Sequence, residues 1–391
     1  MKILFVAMSD SIHTARWVNQ ITDQRWKIYL FPSEIKNNIH EKISNSNVKV
    51  CIPFLLRNNE LFFFRIINKL HNLAIRRINP CFYEKRLYKY IKKIKPDIIH
   101  TLETQYAGYL LYSVKEKYFK NKDFPKWWHT VWGNDIFLFG EIKEHIEKIK
   151  NVLLTCDYYS SDCKRDNILA QKAGYDKKIL PLFLNGFSID NLLEEKKNNL
   201  KTSKRKIILV KGYHGWAGRA LVALYALKII KEYLSDYKIV IYSADDISVK
   251  ISAELFENET NINVALVPLN TSHSEMLKLQ GSARLHIGLS ISDGIPSSVL
   301  EAMAMGSFPI QSWTAATDEW IKDGENGFLV SPEDPCNVAE AMVKALTNDK
   351  LVDNAAKINW KIVKTRLNYN DLKQKAINSY RSIFEDIKNN I

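Results

Sequence analysis

The sequence predicts an α/β chain folded as two Rossmann-like halves, and three observations carry that prediction. Short apolar runs of β type alternate with helical patterns, the rhythm restarts after a polar, lysine-rich break, and the 391 residues exceed what one hydrophobic core supports. A cleft between two domains is then the expected place for a ligand.

In the first half the β-type runs are "KILFVAM", "PDIIHTL", "WWHTVWG" and "NVLLTC", with helical stretches such as "TARWVNQI" between them. Apolar runs alternating with helices indicate βα units on a parallel sheet. The second half repeats this with "KIILVKG", "KIVIYSA", "INVALVP", "RLHIGLS" and "FPIQS", each followed by a helical pattern such as "GRALVALYALKIIKEYL". The turn pair Asn185-Gly186 and the lysine-rich run that follows place the break between the halves. The expected organisation is a domain over 1–190, a linker over 191–205 and a second domain over 206–368. An amphipathic helix over 369–391, with Leu372, Ala376, Ile377 and Tyr380 at helical spacing, is expected to pack on the first domain.

Composition narrows the class. Hydrophobic residues make up 46% and charged residues 25%, ordinary globular values, and no run of about 18 apolar residues suggests a membrane span. "MKILFVAMSDS" lacks a cleavage pattern, so it reads as a first strand, and a cytoplasmic location is expected. The five cysteines, Cys51, Cys81, Cys156, Cys163 and Cys336, have no metal or redox spacing and are expected to be reduced thiols.

The segment that asks for a function is "SDGIPSSVLEAMAMG", Ser292 to Gly306. It follows the apolar run "RLHIGLS", and ligands of open α/β sheets bind beyond the carboxyl ends of strands. Gly294 allows close backbone approach, Pro296 stiffens the turn, and a helix starting near Ser297 or Ser298 aims free N–H groups outward. That suits a phosphate. Glu301, one turn into the helix, can accept from the two adjacent hydroxyls of a ribose, and Asp293 can do the same for a second sugar. The same residues also fit a capping box, Ser298-x-x-Glu301, after an ordinary Asp-Gly turn.

Asp293-x7-Glu301, with Gly294, Pro296 and "LEAMAMG", resembles the E-x7-E motif of retaining GT-B glycosyltransferases, in particular glycosyltransferase family 4. "FPIQSWTAATDEWIKDGENGFLV" is similar to that family's following strand, loop and hairpin. The resemblance implies a GT-B fold and a metal-independent, retaining hexosyltransferase that uses a nucleotide-sugar donor and no other cofactor. It implies that Glu301 binds the ribose and that Asp293, one methylene shorter than the usual Glu, contacts the transferred sugar. Gly294, Ile295, Pro296, Ser297, Ser298 and Leu300 complete the donor segment.

A departing nucleoside diphosphate needs fixed cations or a metal. The chain has no D-x-D sequence, so cationic side chains are expected. Lys211 at a strand end and Arg219 at the next helix start look like the family's phosphate-holding pair with the residue types exchanged, with Gly212 and His214 beside them. Both also fit surface cations at element ends. "HTVWGNDIF" resembles the family's T-x-H-G-x-D segment, with Trp132 in the histidine position and Gly133 and Asp135 matching. Asp135 is expected to serve as a base or sugar anchor. Ser9, Asp10, His13, His129 and Trp132 are acceptor-side candidates, and His100, His129 and His13 are expected at strand ends facing the cleft, although histidines there are more often structural.

The net charge of +13 is unevenly placed: Leu61 to Lys95 holds ten lysines and arginines against the single acid Glu84. Two basic amphipathic helices there, the second over Tyr83 to Lys95, fit an anionic membrane surface, where each cation adds about 1 kcal/mol. They also fit helices whose apolar faces pack on the domain. A lipid-linked or glycan acceptor in surface polysaccharide synthesis follows from the first reading, with the protein peripheral on the inner membrane face. No nucleic-acid recognition motif is present, so no nucleic-acid partner is expected. The rival readings are a GT-B sugar-nucleotide epimerase and a non-catalytic membrane- or RNA-binding module on a transferase scaffold.

Overall fold

A computed structural model describes residues 1–34, 38–51, 81–120, 122–184 and 199–389. The Asn185-Gly186 turn, most of the expected linker and the first of the two basic helices lie outside the described residues. The chain forms two compact units, Met1–Phe187 with Asn370–Ile391, and Ser188–Tyr369.

The first unit is a seven-stranded parallel sheet. Its strands are β1 (Lys2–Ala7), β2 (Lys27–Pro32), β3 (Lys49–Val50), β4 (Ile98–Leu102), β5 (Lys126–Thr130), β6 (Tyr158–Ser160) and β7 (Lys178–Ile179). Their order is β3-β2-β1-β4-β5-β6-β7, so the direction of winding reverses between β1 and β4. β1 is apolar along nearly its whole length, β4 carries His100 and Thr101 among apolar residues, and both are buried, as parallel strands covered on both faces must be. One face packs on the helices Phe82–Ile94, Tyr109–Tyr118 and Lys143–Thr155. The last of these contradicts an expectation: "NVLLTC" is not a strand but the end of this helix, because Val152 and Leu153 continue, three and four residues on, the buried stripe that Ile149 begins. The other carries Ile12–Asn19 and the C-terminal helix Tyr369–Asn389, whose Ala376, Ile377, Tyr380 and Ile383 lie in the core beside Phe5, Trp17 and Trp128.

The helix Phe82–Ile94 belongs to the basic segment and decides part of its reading. Leu87, Ile91 and Ile94 are buried in the core, while Lys85, Lys89, Lys92 and Lys93 are exposed. Its apolar stripe therefore covers the sheet and is not free to enter a lipid surface; its lysines face solvent, with Phe82 at its start.

The second unit has β8 (Ile207–Lys211), a hairpin of β9 (His214–Gly215) and β10 (Gly218–Arg219), then β11 (Lys238–Tyr242), β12 (Val264–Val267), β13 (Ala283–Gly288), β14 (Phe308–Ser312) and β15 (Phe328–Val330). The main sheet runs β12-β11-β8-β13-β14-β15, all parallel, with its reversal between β8 and β13. A ligand crevice forms beyond the carboxyl ends of strands at such a reversal. Lys211 ends β8 and Asp293 follows β13, so the topology brings them to that point. The helix Ser297–Met305 stops at Gly306, whose φ of +84° is readily adopted only without a Cβ.

Candidate functional site

In the second unit the site is a set of loops tied together by their backbones. Asp293 bridges to Ala315, Ala316 N donates to Gly294 O at 3.0 Å, and Ile291 N donates to Trp216 O in the β9–β10 hairpin at 3.0 Å. Ser290 Oγ donates to Ala217 O at 2.8 Å. The carboxylate-glycine-proline loop is thus held between the hairpin and the loop after β14.

Lys211 is buried with its Nζ 3.5 Å from Ser290 Oγ and 5.3 Å from the Tyr213 ring. Burial lowers its pKa, and the Asp293 charge partly offsets this. A buried cation facing the loop is the form in which a phosphate contact is strongest. Arg219 precedes the helix Ala220–Ile229, pairs with Glu333 at 2.6 Å and donates to Gly215 O. Part of its hydrogen-bonding capacity therefore already serves the hairpin. Gly212 is required beside Lys211: a Cβ there would lie 2.6 Å from Tyr242 O. His214 is exposed on the hairpin.

Pro296 is the N-cap of the helix Ser297–Met305, and no side chain caps it. The first N–H groups of Ser297 and Ser298 therefore meet the loop with the positive end of the helix dipole. Ser298 is inside the helix, so the capping-box alternative fails. Glu301 instead turns toward the neighbouring helix His273–Ser282 and accepts from His273 Nε2 at 2.8 Å, while only 8% exposed. Ile295 and Leu300 are buried and anchor loop and helix rather than presenting polar atoms.

Behind Lys211 runs a buried polar chain that sequence reasoning missed. Gln311 Nε2 stands 2.9 Å from His286 Nδ1, and His286 Nε2 stands 2.9 Å from the Tyr242 hydroxyl. Burial, then the Lys211 charge, holds His286 down to about 3, so it is neutral near pH 7. An amide donating to Nδ1 leaves the proton on Nε2, facing Tyr242. "HIGLS" and "IQS" carried a signal only as polar residues inside apolar strands.

In the first unit the corresponding reversal lies between β1 and β4, and it gathers a second set of residues. Glu103, directly after β4, has φ 73° and ψ 157°, a region that side chains seldom occupy. It accepts from Tyr106 N and Ala107 N at the head of a π-helical turn, Thr104–Gly108. Burial raises its carboxyl to about 7, opposed by those backbone bonds. Asp135 Oδ2 accepts from Thr104 N at 2.9 Å, Thr104 Oγ1 at 3.2 Å and Trp132 N at 2.9 Å. Burial and the Glu103 charge raise it well above the usual carboxylate range. Asp135 therefore organises its own loop; a carboxyl so engaged is not placed as a free base. Glu103 and Thr104 had no motif to announce them, only an acid directly after an apolar strand.

The histidine expectations need correction. His100 is fully buried between the Tyr380 hydroxyl at 2.6 Å and Thr130 Oγ1 at 2.7 Å, and it stacks on Trp128. His129 is equally buried between Thr101 Oγ1 at 2.7 Å and Thr104 Oγ1 at 3.0 Å, its pKa lowered to about 3 by burial. Both occupy strand positions, so their side chains leave the sheet faces into the helix layers instead of the strand ends. His13 lies beside Trp132, ring centroids 5.5 Å apart, and burial followed by the Arg16 charge lowers it to about 4. Ser9 Oγ donates to Asn38 O at 2.8 Å, and Asp10 forms the turn after β1. Among the described residues, the buried Trp132 Nε1 has no hydrogen-bond partner.

Two parallel Rossmann units, the second with a carboxylate loop and an uncapped helix N-terminus at its sheet reversal, define a GT-B architecture. Residues 193–361 match the family described as Glycosyl transferases group 1, and residues 2–171 match Glycosyl transferase 4-like. The chain belongs to the GT-B glycosyltransferases of the family 4 type. It is 24% identical over 390 residues to an uncharacterized glycosyltransferase of Methanocaldococcus jannaschii, covering 94% of this chain and 92% of that protein. Among solved structures, sucrose-phosphate synthase from Thermosynechococcus elongatus matches with a TM-score of 0.67 and 15% identity, over 99% of this chain and 100% of that one. Anabaena HepE in complex with UDP-glucose matches at 0.69 and 13%, over 98% and 100%. Among the described residues no helix is long and apolar enough to cross a membrane.

Proposed function

We propose that this glycosyltransferase takes a hexose from a nucleotide-sugar donor and passes it, with retention of configuration and without a metal, to a glycan or lipid-linked glycan acceptor in surface polysaccharide synthesis. The observation that carries the reading is the juxtaposition, at one sheet reversal, of buried Lys211, Asp293 and the uncapped helix that bears Glu301. Glu301 takes the ribose hydroxyls, the N–H groups from Gly294 to Ser298 and the cations Lys211 and Arg219 take the diphosphate, and Asp293 contacts the transferred sugar. Their positive charge stabilises the leaving diphosphate as the glycosidic bond breaks. The departing phosphate oxygen then accepts the acceptor's proton on the same face, so retention needs no side-chain base. The UDP-glucose bound by HepE makes a uridine nucleotide sugar the first donor to try.

The test is a thermal-shift and transfer assay with UDP, GDP, ADP, CMP and their common sugars. Ligand at about a hundred times its dissociation constant adds roughly 2.7 kcal/mol of stability. One nucleotide family should stabilise the wild type and not Glu301→Ala, and the product anomer should match the donor's by NMR. Full transfer by Glu301→Ala and Lys211→Ala, or inversion, overturns the assignment. Conversion of the donor sugar without any acceptor would indicate an epimerase.

A further inference from the structure

We propose that His273 is a positioning residue that pins Glu301 for recognition of the donor's ribose; the inference rests on the donor site proposed above. Glu301 is almost wholly buried, yet its hydrogen bond goes to a histidine whose side chain is 49% exposed. The two come from different helices, His273–Ser282 and Ser297–Met305, which lie side by side. A carboxylate oxygen accepts and an imidazole N–H donates, so the contact is His273 Nε2–H to Glu301 Oε1 at 2.8 Å. One Glu301 oxygen is thereby fixed from the rim while the other remains to accept from a pair of adjacent hydroxyls.

The local sequence makes His273 a rigid pin. Ser272 is the N-cap of its helix, and Ser272 and Glu275 form a reciprocal capping box. His273 is therefore the first residue of a well-fixed helix, not part of a loose loop. A glutamate side chain without such a partner retains rotamer freedom that ligand binding must remove. Pinning moves that ordering ahead of binding and aims the carboxylate at a diol in one orientation. The consequence is selective: the pin adds affinity for nucleotides with both ribose hydroxyls and little for those lacking one.

The experiment measures dissociation constants for UDP, GDP and ADP and for their 2′-deoxy forms, on wild type, His273→Ala, His273→Gln and Glu301→Ala, with melting temperatures alongside. The wild type should prefer the ribonucleotide, His273→Ala should lose about tenfold of that preference, and His273→Gln, which keeps an N–H donor, should recover part of it. Melting temperatures without ligand should stay close to wild type, because His273 is half exposed. An undiminished preference in His273→Ala, or tighter ribonucleotide binding in it, overturns the pin; the latter would make His273 an occupant of the ribose position. Equal loss for ribo- and deoxyribonucleotides would show a structural role and also overturn it. Failure of the wild type to bind any nucleotide would instead bring down the donor-site reading, a result distinct from these.

Discussion

Glu103 and Asp135 are carboxyls that burial holds toward the protonated form, and this gives the first unit a definite response to pH. Glu103 titrates near the ordinary carboxylate value of 4.5 when unfolded and near 7 when folded. The folded state then binds its proton more tightly, so its contribution to stability is full below about 4.5 and is lost as pH rises toward 7. Glu103→Gln keeps an oxygen for Ala107 N and cannot ionise. It should melt higher than wild type at pH 8, with the difference shrinking toward pH 4.5; a pH-independent difference would show that folding leaves the Glu103 titration unchanged. His13 and His129 act in the opposite sense, being held neutral at about 4 and 3, so their contribution falls as pH drops below 6.5. At the proposed donor site, Lys211→Ala should lower kcat/KM about a hundredfold, the scale of one charge-stabilising contact in a transition state. Steady-state kinetics with saturating acceptor reads that directly.

Elements, in turn, aim those residues. β8 ends on Lys211 and turns at Gly212 under Tyr242 O, the backbone of the adjacent strand. In Gly212→Ala a Cβ would contact that oxygen at 2.6 Å, and backbone can yield only by shifting β8 against β11. The variant should raise donor KM together with a loss of stability in urea, whereas Lys211→Ala should affect catalysis with little change in the urea midpoint. The C-terminal helix does comparable work for the first unit. Trp17 Nε1 donates to the Tyr380 hydroxyl at 3.0 Å, and that hydroxyl also pairs with His100 Nδ1. Tyr380→Phe leaves two buried polar groups unpaired and should cost about 1–3 kcal/mol in denaturant unfolding. A neutral result would mean that His100 and Trp17 find other partners once the hydroxyl is gone.

For the whole molecule, charge is the property that sequence and structure divide between them. The lysines of Phe82–Ile94 are exposed while its apolar stripe is buried, so any attraction to a membrane through this helix is electrostatic and does not involve insertion. Binding to vesicles containing anionic lipid should fall steeply between low salt and about 0.5 M, where the screening length drops below the reach of a lysine side chain. Salt-insensitive sedimentation with those vesicles would point to buried apolar contacts made by other residues. Neutral vesicles serve as the control.

The sequence by itself determined the parallel α/β class, the main strands of the second sheet and the Asp293 to Glu301 loop, because apolar runs and glycine or proline turns are local signals; in the first sheet "NVLLTC" read as a strand although it ends a helix, and the strand Lys27–Pro32 went unread. Lys211 and Asp293 were legible for the same reason: the first ends the apolar run "KIILVK" and the second comes shortly after "RLHIGLS". Only the tertiary structure decided what those residues touch. His273 and Glu301 lie on separate helices, and nothing local says which face of one meets the other. His100 and His129 read as strand-end residues, yet whether a strand side chain enters a helix layer depends on the face it takes and on what covers that face. The buried chain of Tyr242, His286 and Gln311 crosses three strands whose neighbourhood is set by topology. Periodicity records that a position is buried, and the fold alone selects the atoms that bury it.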